Sequence, residues 1–179
     1  MFYSAMLMSL MASVAFPVPQ EPNLKVTATF EPATAKPGET VTLKIKIDID
    51  PSWHTYPTVQ PEKAAASFVN KMNFPETGPI VGVEKTVEPK DPVVEAIPAL
   101  DIEKLNTYPG GGTWERKVVV SPTAKAGTLE SQIKLKVSIC NQKGCLPPKA
   151  LEVTATLKVA GDAVPVDPKY KGIMENLKK

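Results

Sequence analysis

The sequence predicts an all-β fold of about seven or eight strands, packed as a sandwich. Apolar and polar residues alternate over several stretches, which is the period of a half-buried strand. The 179 residues include 19 prolines, and aromatic residues make up only 6% of the chain, a composition that favours a loop-rich β protein over a helical one. Hydrophobic residues at 42% and charged residues at 22% are typical of a globular domain with an ordinary core.

The first 16 residues differ from the rest of the chain. Residues 1–16 are apolar and carry small residues at Ser13 and Ala15, as in the hydrophobic region and cleavage site of a signal peptide, although no Lys or Arg precedes Lys25. The alternative is a short buried strand or helix. A signal peptide predicts export, and two cysteines in an exported chain fit a compartment that permits disulfides.

Composition divides the remaining chain into three segments. Residues 17–23 are a proline-rich linker, residues 24–160 form the folded domain, and residues 161–179 are a tail. Within the tail, four apolar residues have the spacing of a short amphipathic helix, with a frayed polar end as the alternative: Tyr170, Ile173, Met174 and Leu177.

Two clear strands open the domain. Residues 24–30 alternate, and residues 41–49 alternate more strictly, as in the first strands of an immunoglobulin-like sandwich. Weaker strands are expected at 66–72 and 78–87. Residues 84–105 are expected to be a long loop with a short helix near 101–105, and a loop of that length usually covers or binds something. The glycine-rich residues 106–112 could act as a hinge before a strand at 113–120.

The densest chemical signal is the segment that holds both cysteines, residues 137–148. Alternating strands are predicted before it, at 133–139, and after it, at 151–159. If these strands form a hairpin, residues 141–144 make the turn, and Cys140 and Cys145 stand opposite each other near disulfide distance. Alternation puts Cys140 on the polar face of its strand, so we expect an exposed bridge.

A disulfide at this position would close only a short ring. Four residues separate the cysteines, and a ring of that size stabilises a fold by roughly 2 kcal/mol. Stability is therefore a weak reason for the pair, whereas a short, exposed bridge is typical of disulfides that exchange. Pro147 and Pro148 follow directly and stiffen the chain beyond Cys145.

The pattern of two cysteines four residues apart, followed by Leu146, Pro147 and Pro148 and set between two strands, resembles the N-terminal periplasmic domain of the thiol:disulfide interchange protein DsbD, in the disulfide bond corrector family. The resemblance covers roughly residues 24–160. Weaker support comes from an early Pro-Gly-Glu turn at 37–39 and from the aromatic run 53–56. A full-length DsbD also carries a membrane electron-conducting domain and a C-terminal thioredoxin-like domain. Since neither is found in these 179 residues, the sequence is expected to be either a stand-alone module fed by a separate reductase or a fragment of a larger protein.

The resemblance implies a protein-disulfide reductase component that works in the periplasm without a cofactor, in electron transfer to thiol–disulfide partners and in cytochrome c biogenesis. Cys145 would attack an oxidised exported protein and Cys140 would resolve the mixed disulfide. Thioredoxin-like proteins and a membrane electron-conducting reductase would be the electron donors or acceptors. Tyr108 best matches the aromatic residue of a cap loop over the disulfide.

The aromatic run has two interpretations. Trp53, His54 and Tyr56 could line the cysteine site together with Pro147 and Pro148, and a His54 imidazolium would lower the pKa of a nearby thiol. The alternative is packing at a sheet edge.

Other functions find little support. One histidine and two cysteines are too few for structural zinc or blue copper. Arg116 is the sole arginine, which leaves little for nucleic-acid contacts, and no nucleotide or hydrolase motif occurs. The remaining alternative is an exported immunoglobulin-like binding or structural domain whose disulfide only pins a hairpin.

Overall fold

The computed structural model describes residues 22–176. The expected signal peptide and most of the expected linker lie outside this range. The strands of the described part are β1 Lys25–Glu31, β2 Thr34–Ala35, β3 Thr40–Asp48, β4 His54–Thr55, β5 Lys71–Asn73, β6 Ile80–Gly82, β7 Val93–Ile97, β8 Ile102–Pro109, β9 Gly111–Val120, β10 Gly127–Val137, β11 Ile139–Asn141, β12 Gly144–Cys145 and β13 Lys149–Val159. The helices are single turns of 3₁₀ at Lys63–Ala65, Pro98–Leu100 and Pro168–Tyr170, and α1 at Lys171–Asn176.

The strands form three sheets. Two have four strands each, in the orders β1-β3-β9-β6 and β2-β13-β10-β5, and the third has five, in the order β12-β11-β4-β8-β7. Seven strands have five residues or more, and the other six have two or three. The all-β, immunoglobulin-like sandwich expected from the sequence is confirmed. The number of longer strands agrees with the expected seven or eight, and the shorter strands are additional.

The core lies between the two four-stranded sheets. On one side β3 contributes Leu43, Ile45 and Ile47, all fully buried, and on the other side Ile133 and Leu157 face them from β10 and β13. These are the positions that the alternating pattern assigns to the apolar face. The strands at each end of the predicted domain are therefore where the sequence places them.

The segment expected to be a long loop is instead a β-hairpin. β7 and β8 pair antiparallel, joined by the 3₁₀ turn Pro98–Leu100, and no helix occupies 101–105. β7 is exposed along most of its length, so its sequence lacks alternation, and a register shift beyond Glu95 interrupts the period of β8. The weak strands expected at 66–72 and 78–87 are present only as β5 and β6.

The glycine-rich segment is a tight turn between β8 and β9. Gly110 has φ +72° and Gly111 has φ +100°, a region that suits glycine. A Cβ at Gly111 would overlap the carbonyl oxygen of Ile47. Pairing of β9 with β3 therefore requires glycine here, and the segment expected to act as a hinge forms the turn that joins β8 to β9.

The segment after β13 packs on the sandwich. Val166, Tyr170 and Met174 are buried against Val81 and Val119 of the first sheet. The Tyr170 hydroxyl donates to the Glu84 carboxylate, which also pairs with Lys169 at 3.2 Å. Among the described residues, no helix has the length and apolar character needed to span a membrane.

Candidate functional site

Cys140 and Cys145 form a disulfide across the β11–β12 hairpin. The two residues are direct cross-strand partners with a Cα–Cα distance of 4.0 Å. Asn141 and Gly144 form the next pair, so Gln142 and Lys143 are the two turn residues. Gly144 has φ +144°, which glycine adopts readily. The short hairpin expected from the sequence therefore brings the sulfurs together.

The two cysteines differ in exposure. Cys140 is 4% exposed and packs in a second apolar cluster with Ile102, Leu105 and Tyr56, whereas Cys145 is exposed at the edge of the five-stranded sheet. The expectation of a wholly exposed bridge is thus wrong for Cys140. Cys145 is therefore the residue of the pair that another protein can contact.

The aromatic run lies beside the disulfide. His54 is the cross-strand partner of Cys140, and Tyr56, two residues on, points to the same face of the sheet. The Tyr56 hydroxyl lies 3.9 Å from the Cys145 sulfur and 3.2 Å from Nε2 of His54. Trp53 joins them in lining a cavity of about 410 Å³ over the disulfide.

Burial sets the protonation of both rings. It lowers the pKa of His54 below its usual value, against a smaller opposing effect of the Glu95 carboxylate. Burial also raises the pKa of Tyr56 to about 12, with Glu95 adding to the effect. His54 is therefore neutral at pH 7, which does not favour the expected imidazolium, and Tyr56 keeps its hydroxyl proton.

A buried amide fixes the strand that carries these rings. Asn70 is 1% exposed, and its Nδ2 donates to the carbonyl of Tyr56 at 2.6 Å. Its Oδ1 accepts from the backbone N–H of Ser138 at 2.9 Å, and the Thr55 hydroxyl donates to the Ser138 carbonyl at 2.8 Å. These bonds hold β4 against the junction of β10 and β11, and so hold Tyr56 near Cys145.

The β7–β8 hairpin forms the far wall of the cavity. Glu95, Ile97 and Leu105 line it together with Phe68, whose ring lies 5.5 Å from that of Tyr56. Sequence reasoning missed Glu95, Ile97 and Leu105 because it assigned 84–105 to a loop, and it gave Phe68 no role within the weak strand expected at 66–72. The only signal for the hairpin was the pair of apolar residues in the predicted loop, Ile97 and Ile102, which pair across it.

Three predicted site residues lie elsewhere. Tyr108 pairs with Thr55 and so faces away from Cys140. It is buried in the main core, where its hydroxyl donates to the Pro89 carbonyl at 3.1 Å and its ring packs on Trp114. Pro147 and Pro148 are exposed and line a separate cavity beside the hairpin. None of the three lines the cavity over the disulfide.

The chemistry that the site offers is that of its two sulfurs. Within residues 22–176, no three His, Cys, Asp or Glu side chains converge in a way that could hold a metal ion. The groups around the sulfurs include a neutral imidazole, a phenol, the Glu95 carboxylate and several apolar side chains. Such a site can donate a hydrogen bond to a thiolate and can exclude water from one sulfur.

Comparison with known proteins assigns no family. No family model matches the sequence, and no curated protein matches it. Among solved structures, the N-terminal periplasmic domain of ScsB from Proteus mirabilis is 12% identical, with a TM-score of 0.45 over 92% of this chain and 56% of that one.

Other structures have similar or lower scores. The fimbrial subunit AggA from Escherichia coli is 12% identical, with a TM-score of 0.35 over 82% of this chain and 100% of that one. A chain of a type I cohesin–dockerin complex from Clostridium thermocellum is also 12% identical, with a TM-score of 0.36 over 80% of this chain and 100% of that one. Function must therefore be derived from the site.

Proposed function

We propose that this chain is an exported thiol:disulfide interchange module that passes electrons through Cys140 and Cys145 to oxidised partner proteins. One observation carries the proposal: within a single disulfide, Cys145 is exposed at a sheet edge while Cys140 is buried. Exchange needs one sulfur that a partner can reach and a second sulfur, shielded from the partner, that resolves the mixed disulfide. A purely structural bridge needs no such asymmetry.

The reaction proceeds in two displacements. In the reduced module, the Cys145 thiolate attacks a partner disulfide, so that a Cys145–partner bond forms and the partner's second sulfur leaves as a thiolate and takes up a proton. The Cys140 thiolate then attacks the Cys145 sulfur and releases the partner's first sulfur as a thiol. The partner gains two electrons and two protons, and the module ends as the disulfide.

The residues around the sulfurs support these steps. The Tyr56 hydroxyl, protonated at neutral pH, lies where it donates a hydrogen bond to a Cys145 thiolate. A neutral His54 with its proton on Nε2 donates to the Tyr56 oxygen and leaves the hydroxyl hydrogen for sulfur. Because Cys140 is buried, a partner can reach only Cys145 directly, and Cys140 is kept for the second displacement.

Partners and compartment follow from the chemistry. After each exchange the Cys140–Cys145 disulfide must be reduced again by another dithiol, and thioredoxin-like proteins or a membrane electron-conducting reductase supply that dithiol. The substrates are oxidised exported proteins, in the periplasm or outside the cell, which agrees with the signal peptide expected at residues 1–16. No cofactor takes part in either displacement.

A second candidate is an immunoglobulin-like binding or structural domain. Packing of Cys140 with Ile102 and Leu105 favours it, because a buried half-cystine pins the hairpin to the cluster beneath. In that case the disulfide should resist reduction and its loss should leave binding intact.

The reduction potential separates the two candidates. It is measured by thiol alkylation and mass spectrometry of the full chain across graded glutathione and dithiothreitol buffers. A value of roughly −120 to −270 mV, the range of exchange proteins, is expected. A value below about −300 mV would mark an inert staple and support the binding domain.

A double variant gives a second test. Cys140→Ser/Cys145→Ser should fold, because β11 also pairs with β4, and should lose about 2 kcal/mol of stability. It should have no exchange activity. Retained reduction of an oxidised partner by this variant would contradict the proposal.

A further inference from the structure

Cys145 lies on the outermost strand of the five-stranded sheet. One side of β12 pairs with β11, and the other side has no neighbour in the described part of the chain. Gly144 and Cys145 are both exposed. The attacking sulfur of the proposed function therefore belongs to a strand edge, and an edge strand can accept an additional strand.

The hydrogen-bond pattern shows where the backbone of Cys145 points. The N–H of Leu146 donates to the carbonyl of Ile139 at 3.1 Å, which marks those residues as a hydrogen-bonded pair. Hydrogen-bonded and non-hydrogen-bonded pairs alternate along an antiparallel ladder. Cys140 and Cys145 are therefore the non-hydrogen-bonded pair, and their Cα–Cα distance of 4.0 Å agrees. The N–H and C=O of Cys145 point to the open edge.

The same edge cannot accept a long strand. The next residue of the same orientation is Pro147, which has no N–H, and Pro148 also lacks one. The edge thus offers a single donor, the N–H of Cys145, flanked by a segment that blocks continued pairing. A short extended segment centred on Cys145 fits, whereas aggregation through this edge is disfavoured.

Each face of this edge has its own cavity. The Cys145 side chain borders the disulfide cavity on one face. Leu146 turns to the other face, where it lines a second cavity of about 350 Å³ together with Leu24 and Pro147. Because side chains of an extended segment alternate between faces, a segment placed here would direct one side chain towards the disulfide and its neighbour into the second cavity.

Resting on the proposed function, we infer that the oxidised partner docks by adding an antiparallel strand to β12, with its reactive cysteine directly opposite Cys145. The two residues exchange N–H···O=C bonds, and a pair of this kind has a Cα–Cα distance of about 5.5 Å, within disulfide range. An apolar residue next to the partner cysteine enters the cavity beside Leu146 and Pro147.

This geometry explains how the Cys145 sulfur changes partner. Cys140 lies opposite Cys145 on one side, and the partner cysteine would lie opposite it on the other, with all three side chains on the same face of the sheet. The Cys145–partner bond is made on one side of β12 and replaced by the Cys140–Cys145 bond on the other. The backbone pairing itself stays in place through both displacements.

The test uses the full chain carrying Cys140→Ser, which leaves Cys145 as the reactive thiol. The probe is an eight-residue peptide with a central Val-Cys-Val, its cysteine activated as a disulfide with thionitrobenzoate. One version is N-methylated at the cysteine, which removes the N–H expected to bond to Cys145. The control version is N-methylated at the following valine, whose N–H would point away. Rates are divided by each peptide's rate with glutathione.

We expect methylation at the cysteine to slow mixed-disulfide formation about five- to tenfold, the effect of one lost hydrogen bond, and methylation at the valine to leave the rate within about twofold. The amide of Cys145 should also be protected from hydrogen exchange in the adduct with the unmodified peptide but not in the adduct with glutathione.

Equal rates for the two methylated peptides, or no added protection of the Cys145 amide, would overturn strand docking. Rapid reaction of Cys145 with the glutathione disulfide would in that case leave the proposed exchange function standing. Failure of Cys145 to react with any of these disulfides would instead overturn both.

Discussion

At the scale of single residues, Cys140 shows that the face a side chain takes and the burial of that face have different origins. Alternation along the chain predicts that Cys140 faces away from Ile139, and the structure places it there. That face was expected to meet solvent, but Tyr56, Ile102 and Leu105 cover it. The pattern in a strand defines which face a side chain takes, while what covers that face depends on residues far away in the sequence.

Tyr56 places a hydroxyl beside the sulfur of the proposed chemistry. In a Cys140→Ser background, Tyr56→Phe removes a hydroxyl 3.9 Å from the Cys145 sulfur. A hydrogen bond to a charged group is worth about 1.5–3 kcal/mol, and the long contact puts this one at or below the lower limit. We expect the pKa of the Cys145 thiol to rise by up to about one unit, as followed by thiolate absorbance against pH.

Tyr108→Phe is the matched control for that measurement. It removes a hydroxyl that donates to the Pro89 carbonyl on the opposite face of the sheet. The pKa of the Cys145 thiol should be unchanged in this variant. An equal pKa of the Cys145 thiol in Cys140→Ser and in Cys140→Ser/Tyr56→Phe would show that the hydroxyl does not stabilise the thiolate.

His54 is the chain's one histidine, so its ring protons can be followed by NMR without ambiguity. Burial lowers its pKa below the usual 6.5. Since the unfolded chain then binds the proton more readily than the folded one, this residue adds stability above pH 6.5, which is lost as pH falls through the lowered pKa. NMR titration should give a pKa below 6.5.

The variant His54→Gln removes the titrating imidazole and keeps the carboxylates that titrate at lower pH, so it isolates the contribution of His54 to the pH dependence of stability. Urea denaturation at pH 7.5 and pH 5 should show a smaller loss of stability in His54→Gln than in the wild type. Equal losses in the two proteins would mean that Glu95 offsets burial, and an NMR pKa above 6.5 would mean that Glu95 outweighs it.

At the scale of strands and turns, the success of sequence-based prediction depends on burial. β3, β10 and β13 bury one face against a core, so apolar residues recur at every second position and their sequences predict them. β7 is exposed along most of its length and carries no such pattern. The wall of the candidate site formed by β7 and β8 was therefore missed, although the cysteine hairpin itself was predicted.

The turn between β8 and β9 gives a test at this scale. Gly111→Ala places a Cβ against the Ile47 carbonyl in a conformation that disfavours alanine. We expect a loss of about 2–4 kcal/mol in the free energy of unfolding, measured by urea denaturation, because backbone strain and a steric clash add.

Gly78→Ala provides the comparison. Gly78 has a similar φ of +96°, but nothing lies within 4 Å of its Cβ position. Its loss should therefore be limited to backbone strain, about 1 kcal/mol. If the two variants were equally stable, close packing of β9 on Ile47 would not explain the need for glycine.

At the scale of the whole molecule, the five-stranded sheet works as an attachment to the sandwich. One face of it, with Ile139 and Tyr108, joins the main core, while the other face carries the second cluster and the disulfide cavity. The Asn70 amide connects the two faces through Tyr56 and Ser138. The reactive hairpin thus projects from a rigid base, with Cys145 at the free edge.

The C-terminal segment bears on where the folded unit ends. The sequence suggested that the domain closes at residue 160, yet Met174 in α1 is 7% exposed and packs with Tyr170 over Val81 and Val119. Ile173, its neighbour on the same helix, is 39% exposed.

If the segment is integral to the fold, Met174→Ala should lower the free energy of unfolding by about 2 kcal/mol, the low end for buried methionine. Ile173→Ala should lower it by less than about 0.5 kcal/mol. Urea denaturation of the full chain measures both. Equal, negligible losses would place the boundary at residue 160, because a helix docked on Val81 and Val119 cannot lose its one deeply buried side chain without loss of stability.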